Sequence, residues 1–297
     1  MRIGIDLGGT KTEIVVLDEQ GDALYRHREP TPAEDYNAIL GTIARLVALA
    51  EEGAGHAQSV GIATPGAISG RTGLMKNSNT VVLNGRPLDR DIALRLQRPV
   101  RLENDANCLA LSEAIDGAAS GASTVFGVIL GTGVGGGIVI DKALLVGHNR
   151  VAGEWGHNPL PWPRAEDLPG AACYCGKVGC IETYLSGRGL SRDFYDRSGT
   201  QCTALEISGA AQRGDSRARE CIQLYRDRLA RSLATVVNVM DPEAIVLAGG
   251  LSNMVALCEG LPEMIASYAF SDGLDTRIVR AAHGDSSGVR GAARLWG

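Results

Sequence analysis

The hydrophobic pattern changes period several times along the chain. It opens on a short apolar run at residues 3–5, reaches Asp6 and a Gly8-Gly9 turn, and resumes as Ile14-Val15-Val16-Leu17. Uninterrupted apolar runs bounded by turn residues predict buried strands. Gly21-Asp22 ahead of Leu24-Tyr25 predicts a hairpin. The period then becomes helical, with Tyr36, Ile39, Leu40, Ile43, Val47 and Ala50 on one face. Thr31-Pro32-Ala33-Glu34 offers an N-cap, a proline at the first helical position and a capping-box glutamate, and Gly53 a stop. Residues 60–63 predict a buried strand ending in Thr64-Pro65-Gly66. Residues 100–102 predict a short strand that delivers Asn104-Asp105 to a helix over 106–115.

The stretch from Gly117 to Ser123 is small and weakly patterned, as a domain boundary would be. A strand over 125–130 then enters Gly131-Thr132-Gly133-Val134-Gly135-Gly136-Gly137, and Ile138-Val139-Ile140 resumes extended structure. Strand, glycine turn with a threonine, strand: this repeats the N-terminus and predicts an internal duplication. A long helix follows from Ser216, with Cys221, Ile222, Tyr225, Leu229, Leu233, Val236, Val237 and Met240 on one face and Asp241-Pro242 ending it. Ala244-Ile245-Val246-Leu247 predicts one more buried strand, opening into Gly249-Gly250. Strands alternating with helices predict an α/β protein.

Composition narrows the function. Only 4% of the 297 residues are aromatic, so the core rests on aliphatic side chains, and the net charge of −5 disfavours nucleic acid as a partner. The longest apolar stretch, around residues 236–247, is cut by Asp241-Pro242, so no membrane span is expected. No secretory leader opens the chain, and seven cysteines, three of them between Cys173 and Cys180, suit reduced thiols in the cytoplasm.

Three strand-to-glycine turns in one chain point to a nucleotide in a cleft between two domains. At the first, Asp6-Leu7-Gly8-Gly9-Thr10-Lys11, bare backbone would let N–H groups approach phosphate, and Asp6 would hold Mg²⁺. A purely structural hairpin is the alternative. Asn104-Asp105 at a strand end suits a general base, or else a helix cap. His157, Cys173, Cys175 and Cys180 make a Cys₃His set suited to closed, structural zinc, with Gly176 and Gly179 letting the loop curl. Glu154 and Glu182 flank that set and are candidates for sugar hydroxyls, or else solvated carboxylates.

Together the glycine turns, Asn104-Asp105, Gly153-Glu154-Trp155-Gly156-His157 and the Cys173 to Glu182 segment resemble the ROK family of sugar kinases and repressors. The resemblance runs from Ile3 to about Arg294. It implies a two-lobed α/β fold of the actin/hexokinase (ribonuclease H-like) type with a zinc loop at 157–180. The small lobe would be 1–117 completed by a helix at about 286–297, and the large lobe 118–285. It also implies ATP-dependent phosphorylation of a hexose at its primary hydroxyl, with Mg²⁺, and a homodimer. The family's nucleotide residues fall on Asp6, Gly8, Gly9, Thr10, Lys11, Thr132, Gly133, Gly135, Gly249 and Gly250. Its sugar residues fall on Gly66, Asn104, Asp105, Glu154, His157 and Glu182, with Asp105 as catalytic base. Its zinc ligands fall on His157, Cys173, Cys175 and Cys180, and His157 is expected to serve both metal and sugar.

Gly153 to Trp162 is most similar to the manno(fructo)kinase branch, which implies fructose first and mannose next. Two prolines and two tryptophans there are expected to wall out an N-acetyl group. N-acetylglucosamine kinase or a broad glucose/hexokinase is the alternative. Thr80-Val81-Val82-Leu83 departs from the many relatives with a Trp after the Asn77-Ser78-Asn79 segment, which opens the substrate range. A repressor would need a helix-turn-helix ahead of the first strand, and with Met1 two residues from that strand none is expected. A zinc hydrolase would need an open metal position, which four protein ligands deny it.

Overall fold

The computed structural model describes the whole chain, Met1–Gly297, as two compact units. One comprises Met1–Gly121, Gly137–Ala152 and Asp285–Gly297; the other comprises Ala122–Gly136 and Gly153–Gly284. The expected lobes, 1–117 with 286–297 and 118–285, differ from these mainly at Gly137–Ala152, which goes with the first unit. The reason is local: a Cβ on Gly137 would stand 2.6 Å from the Ala106 carbonyl, so this backbone lies directly on the helix Asp105–Ile115.

The first unit is built on β1 (Arg2–Leu7), β2 (Lys11–Leu17), β3 (Ala23–Pro30), β4 (Val60–Thr64) and β7 (Val100–Asn104), with β5 (Ala67–Ile68) and β6 (Met75–Lys76) a separate ribbon. The sheet order is β3-β2-β1-β4-β7: β2 is antiparallel to β1 and β3, whereas β4 is parallel to β1 and β7. Ile14 and Val16 of β2 join the core beneath Ile39, Ile43 and Leu46, while Val15 and Leu17 pack with Val289 and Ala293. Covering both faces explains why this run is uninterrupted instead of alternating.

The first helix, Tyr36–Ala54, starts later than the sequence predicts. Its N-cap is Asp35, whose Oδ1 accepts the Ala38 N–H at 3.0 Å, and its C-cap is Gly55, not Gly53. Thr31 is unavailable as a cap because its hydroxyl donates to the Gly8 carbonyl at 2.8 Å. The C-terminal helix Ser287–Ala293 packs onto strand backbone. A Cβ on Gly61 of β4 would stand 1.8 Å from the Ala292 carbonyl oxygen, and one on Gly4 of β1 2.1 Å from that of Val289.

A second sheet contains β8 (Thr124–Leu130), β9 (Val134–Ile140), β10 (Ala143–Leu144), β11 (Ala244–Ala248) and β12 (Arg277–Arg280), in the order β10-β9-β8-β11-β12. β11 is parallel to β8 and β12, as β4 is to β1 and β7. The duplication predicted from two glycine turns is thus a duplication of sheet topology. The long helix Ser216–Met240 is capped by Asp215, which accepts the Ala218 N–H at 2.8 Å, and ends at Asp241 in the left-handed region. No helix is long and apolar enough to cross a membrane.

Candidate functional site

In the first unit, β1 ends at Asp6 and Leu7, and the chain reverses through Gly8, whose N–H donates to the Lys11 carbonyl at 3.0 Å. Thr31 holds this turn from below, sharing a 2.8 Å hydrogen bond with the Thr12 hydroxyl while donating to Gly8. Gly8, Gly9, Thr10 and Lys11 are left on the surface or half-buried. Asp6 carries a pKa pushed up to about 7, first by burial and then by the Asp105 and Glu13 carboxylates. Gly288 leaves room for it: a Cβ there would stand 3.2 Å from Asp6 Oδ2.

Asn104 closes β7 and caps the helix Asp105–Ile115, its Oδ1 accepting the Ala106 N–H at 2.9 Å. Its amide donates to the Gly66 carbonyl at 3.4 Å. Asp105 Oδ1 also accepts from Ala106, at 2.8 Å, so Asn104 is the cap and Asp105 the first helical residue. Gly66, at φ +81°, has no room for a side chain, since a Cβ would stand 2.4 Å from the Lys76 carbonyl oxygen. Two neighbours escaped the sequence reading: Glu103, which accepts from the Asn107 amide at 3.2 Å, and Arg150, 3.5 Å from the same carboxylate. Their spacing carries no motif; only the helix turn and the distant loop unite them. Val82 is half-buried against the unit's core.

In the second unit, the ligand atoms of His157, Cys173, Cys175 and Cys180 lie within 4.8 Å of one another. Cys175 Sγ is 3.6 Å from Cys180 Sγ, and Cys173 Sγ is 3.6 Å from His157 Nδ1. Tetrahedral zinc with ordinary bond lengths separates its ligands by about 3.5–3.8 Å, so the four residues fit that ion with no position left over. Gly176 (φ +86°) and Gly179 (φ +73°) take left-handed backbone as the loop curls. His157 presents Nδ1 to the thiols, while Nε2 lies 3.0 Å from the Tyr174 hydroxyl. Tyr174 thus occupies the nitrogen expected to face the sugar, and sequence gave no signal for it.

Glu182 follows the candidate ligand Cys180 in the helix Ile181–Leu185, and its Oε2 accepts the Val134 N–H at 2.9 Å. Glu154 is exposed at the head of the short 3₁₀ turn Trp155–His157. Gly249, at φ +85°, lies against the end of β8, where a Cβ would stand 2.4 Å from the Leu130 carbonyl oxygen. Gly250 faces open space.

The loop is also anchored by charge. Asp167 accepts from Arg228 Nε at 2.7 Å and from Arg231 Nη2 at 3.0 Å, all three residues being buried. Burial alone would raise the Asp167 carboxyl. The Arg164 backbone N–H and the two guanidinium groups hold it below the usual range. Arg231 donates further to the carbonyls of Pro161 (2.9 Å) and Trp162 (2.6 Å). Trp162 stacks on Tyr268 with centroids 5.9 Å apart, and Trp155 turns inward, edge-on to Phe126, with its indole N–H on the Gly135 carbonyl at 3.0 Å. Both tryptophans have ring partners within this unit.

A model of the ROK family matches residues 2–297. The chain is 40% identical over 301 residues to an N-acetyl-D-glucosamine kinase of Haemophilus influenzae, covering 100% of this chain and 99% of that one. It is 41% identical over 302 residues to the enzyme of the same description from Salmonella gallinarum, with 99% of each covered. Among solved structures it resembles a ROK hexokinase from Thermus thermophilus, at a TM-score of 0.88 and 33% identity over 98% of this chain and 96% of that one. It also resembles a ROK family glucokinase from Streptomyces griseus in complex with glucose and AMPPNP, at a TM-score of 0.79 and 30% identity over 99% and 98%. With a family match that spans the fold, both glycine turns and the Cys₃His loop, the chain belongs to the ROK family.

Proposed function

We propose that the chain is an ATP-dependent sugar kinase acting on the primary hydroxyl of a hexose. The observation that carries this reading is that Asp6 of β1 and Asp105, just past the end of β7, lie at the same end of one sheet beside a glycine turn, Asp6 pairing with Ala63 and Ala63 with Glu103. Two carboxylates at one end of the sheet suit a divalent cation carrying nucleotide phosphates, and such an ion would offset charge on the transferring phosphoryl. Asp105 accepts the proton as the sugar oxygen attacks the γ-phosphorus, and the bond to the β–γ bridging oxygen breaks to release ADP. Gly8, Gly9, Thr10 and Lys11, with Thr132, Gly133 and Gly135, orient the phosphates. Gly249 and Gly250 border the nucleoside. Gly66, Asn104, Glu154 and Glu182 take the sugar hydroxyls, while His157, with Tyr174 on its second ring nitrogen, is left to the zinc. Zinc on His157 and the three cysteines would supply structural cross-linking only, since no coordination position is left for a reactant.

Among hexoses, we place N-acetylglucosamine ahead of fructose. The named relatives favour it. Fructose stays as the second reading because residues 153–162 are similar to the manno(fructo)kinase branch. A coupled ADP-release assay over N-acetylglucosamine, fructose, mannose and glucose decides. The highest kcat/KM is expected for N-acetylglucosamine. A higher value for fructose establishes the second reading, and no hexose-dependent ADP release rejects the kinase reading.

A further inference from the structure

We propose that Glu182 and Gly187 are positioning residues for the second glycine turn, so that the zinc loop and sugar contacts set the geometry in which the nucleotide phosphates are held. This rests on the sugar-kinase reading above. The chain leaves the ligand Cys180 directly into the helix Ile181–Leu185, and then through Ser186 into the helix Gly187–Ser198. Both helices grip the turn. Glu182 Oε2 accepts the Val134 N–H at 2.9 Å, and the Gly187 N–H donates to the Gly131 carbonyl at 2.8 Å. Inside the turn, the Gly131 N–H closes on the Gly133 carbonyl at 3.0 Å.

The other side of the turn is held by the segment that carries Glu154 and His157. The Trp155 indole donates to Gly135, and a Cβ on Gly156 would stand 2.4 Å from the Val134 carbonyl oxygen. Gly133 and Gly136 are equally confined: Cβ atoms there would stand 2.7 Å from Glu182 Oε2 and 2.8 Å from the Gly153 carbonyl oxygen. Part of the turn's glycine content therefore answers to these neighbours, not to phosphate. A carboxylate has two oxygens, and with Oε2 on Val134 a sugar hydroxyl drawn to Oε1 would fix the same side chain that fixes the turn. Sugar binding thus pre-orders the phosphate turn, and by linkage nucleotide binding tightens sugar equally.

The test is calorimetric binding of Mg²⁺–AMPPNP, with and without the best hexose of the panel. For the wild type, sugar is expected to tighten nucleotide about 5-fold or more. Gly187→Pro removes the N–H at a first helical position, where proline is tolerated. It should lose most of that coupling and raise the KM for ATP more than that for sugar. Gly187→Ala, whose Cβ would lie 3.4 Å from the Gly131 oxygen, keeps the donor and should retain the coupling. Should the proline variant not fold, the sugar-free protein gives a second measurement. Glu182→Ala should weaken AMPPNP about tenfold, and Glu182→Gln, which keeps an acceptor for Val134, should restore most of it. Unchanged AMPPNP binding in folded Glu182→Ala, or undiminished coupling in Gly187→Pro, overturns the proposal. A wild type that neither binds nucleotide nor phosphorylates a hexose fails the underlying reading instead.

Discussion

At the scale of single residues, two carboxylates enter the proposed chemistry in different ways. Asp105 sits at the first position of its helix with one oxygen on a backbone N–H, and Asn104 does the capping beside it. Asp105→Asn should therefore fold normally and bind sugar, but lower kcat by roughly 10²–10⁴-fold in the ADP-release assay. Retained turnover would remove Asp105 from the proton-transfer role. Asp6 is held against its own charge. Its folded pKa of about 7 lies above the 3.8 of a free carboxyl, so between those values the folded protein keeps a proton that the unfolded chain releases. This group's contribution makes stability fall as pH rises through that window and level off above it. In metal-free protein, Asp6→Asn should raise Tm relative to wild type by a margin that grows from about pH 4 to pH 7, while abolishing activity. A margin independent of pH would contradict this account.

At the scale of elements, the loop between His157 and Cys180 is secured twice. Four ligand atoms gather at one end, and Asp167 is locked to Arg228 and Arg231 of the helix Ser216–Met240 at the other. Tyr184, from the helix that carries Glu182, donates to the Asp167 carbonyl at 2.6 Å and lies under the Arg228 guanidinium at 5.0 Å. Losing the proposed zinc should therefore loosen the loop at the cysteine end without unfolding the unit. Cys175→Ser, or a strong chelator, is expected to raise the sugar KM roughly tenfold or more, and elemental analysis should show the zinc gone. A fully active protein without zinc would refute the metal's role. The cysteine spacing was legible because ligand type and clustering are local. The ion-pair cluster was not: Asp167 and Arg228 are 61 residues apart, and an Asp or Arg reads as surface until its partner is known.

At the scale of the whole molecule, the chain folds two sheets of the same strand order, and its last segment completes the first unit. That closure depends on bare backbone at Gly61 and Gly4, where the helix Ser287–Ala293 approaches the sheet. Gly61→Ala is expected to cost about 3 kcal/mol in urea unfolding, because its Cβ would meet backbone that cannot rotate away. The same substitution at Gly273, with nothing within 4 Å, should be close to neutral and is the control. Equal stability losses at the two positions would show that backbone approach is not the cause.

The sequence by itself determined whatever depends on neighbours along the chain. The strands appeared as apolar runs, the long helix as a periodic face, the glycine turns and the Cys₃His set as spacings, and Asn104-Asp105 as a strand-to-helix junction. Tertiary structure decided what depends on partners distant in the chain. It gave the first helix Asp35 as its cap because Thr31 was drawn to Gly8, and it joined Gly137–Ala152 to the first unit through Ala106. It paired His157 with Tyr174, turned Trp155 and Trp162 onto ring partners, and set Glu182 on Val134. Local pattern records a residue's preference for burial or curvature. Which acceptor, ring or carbonyl meets it is fixed only when folding brings remote segments within a few ångströms.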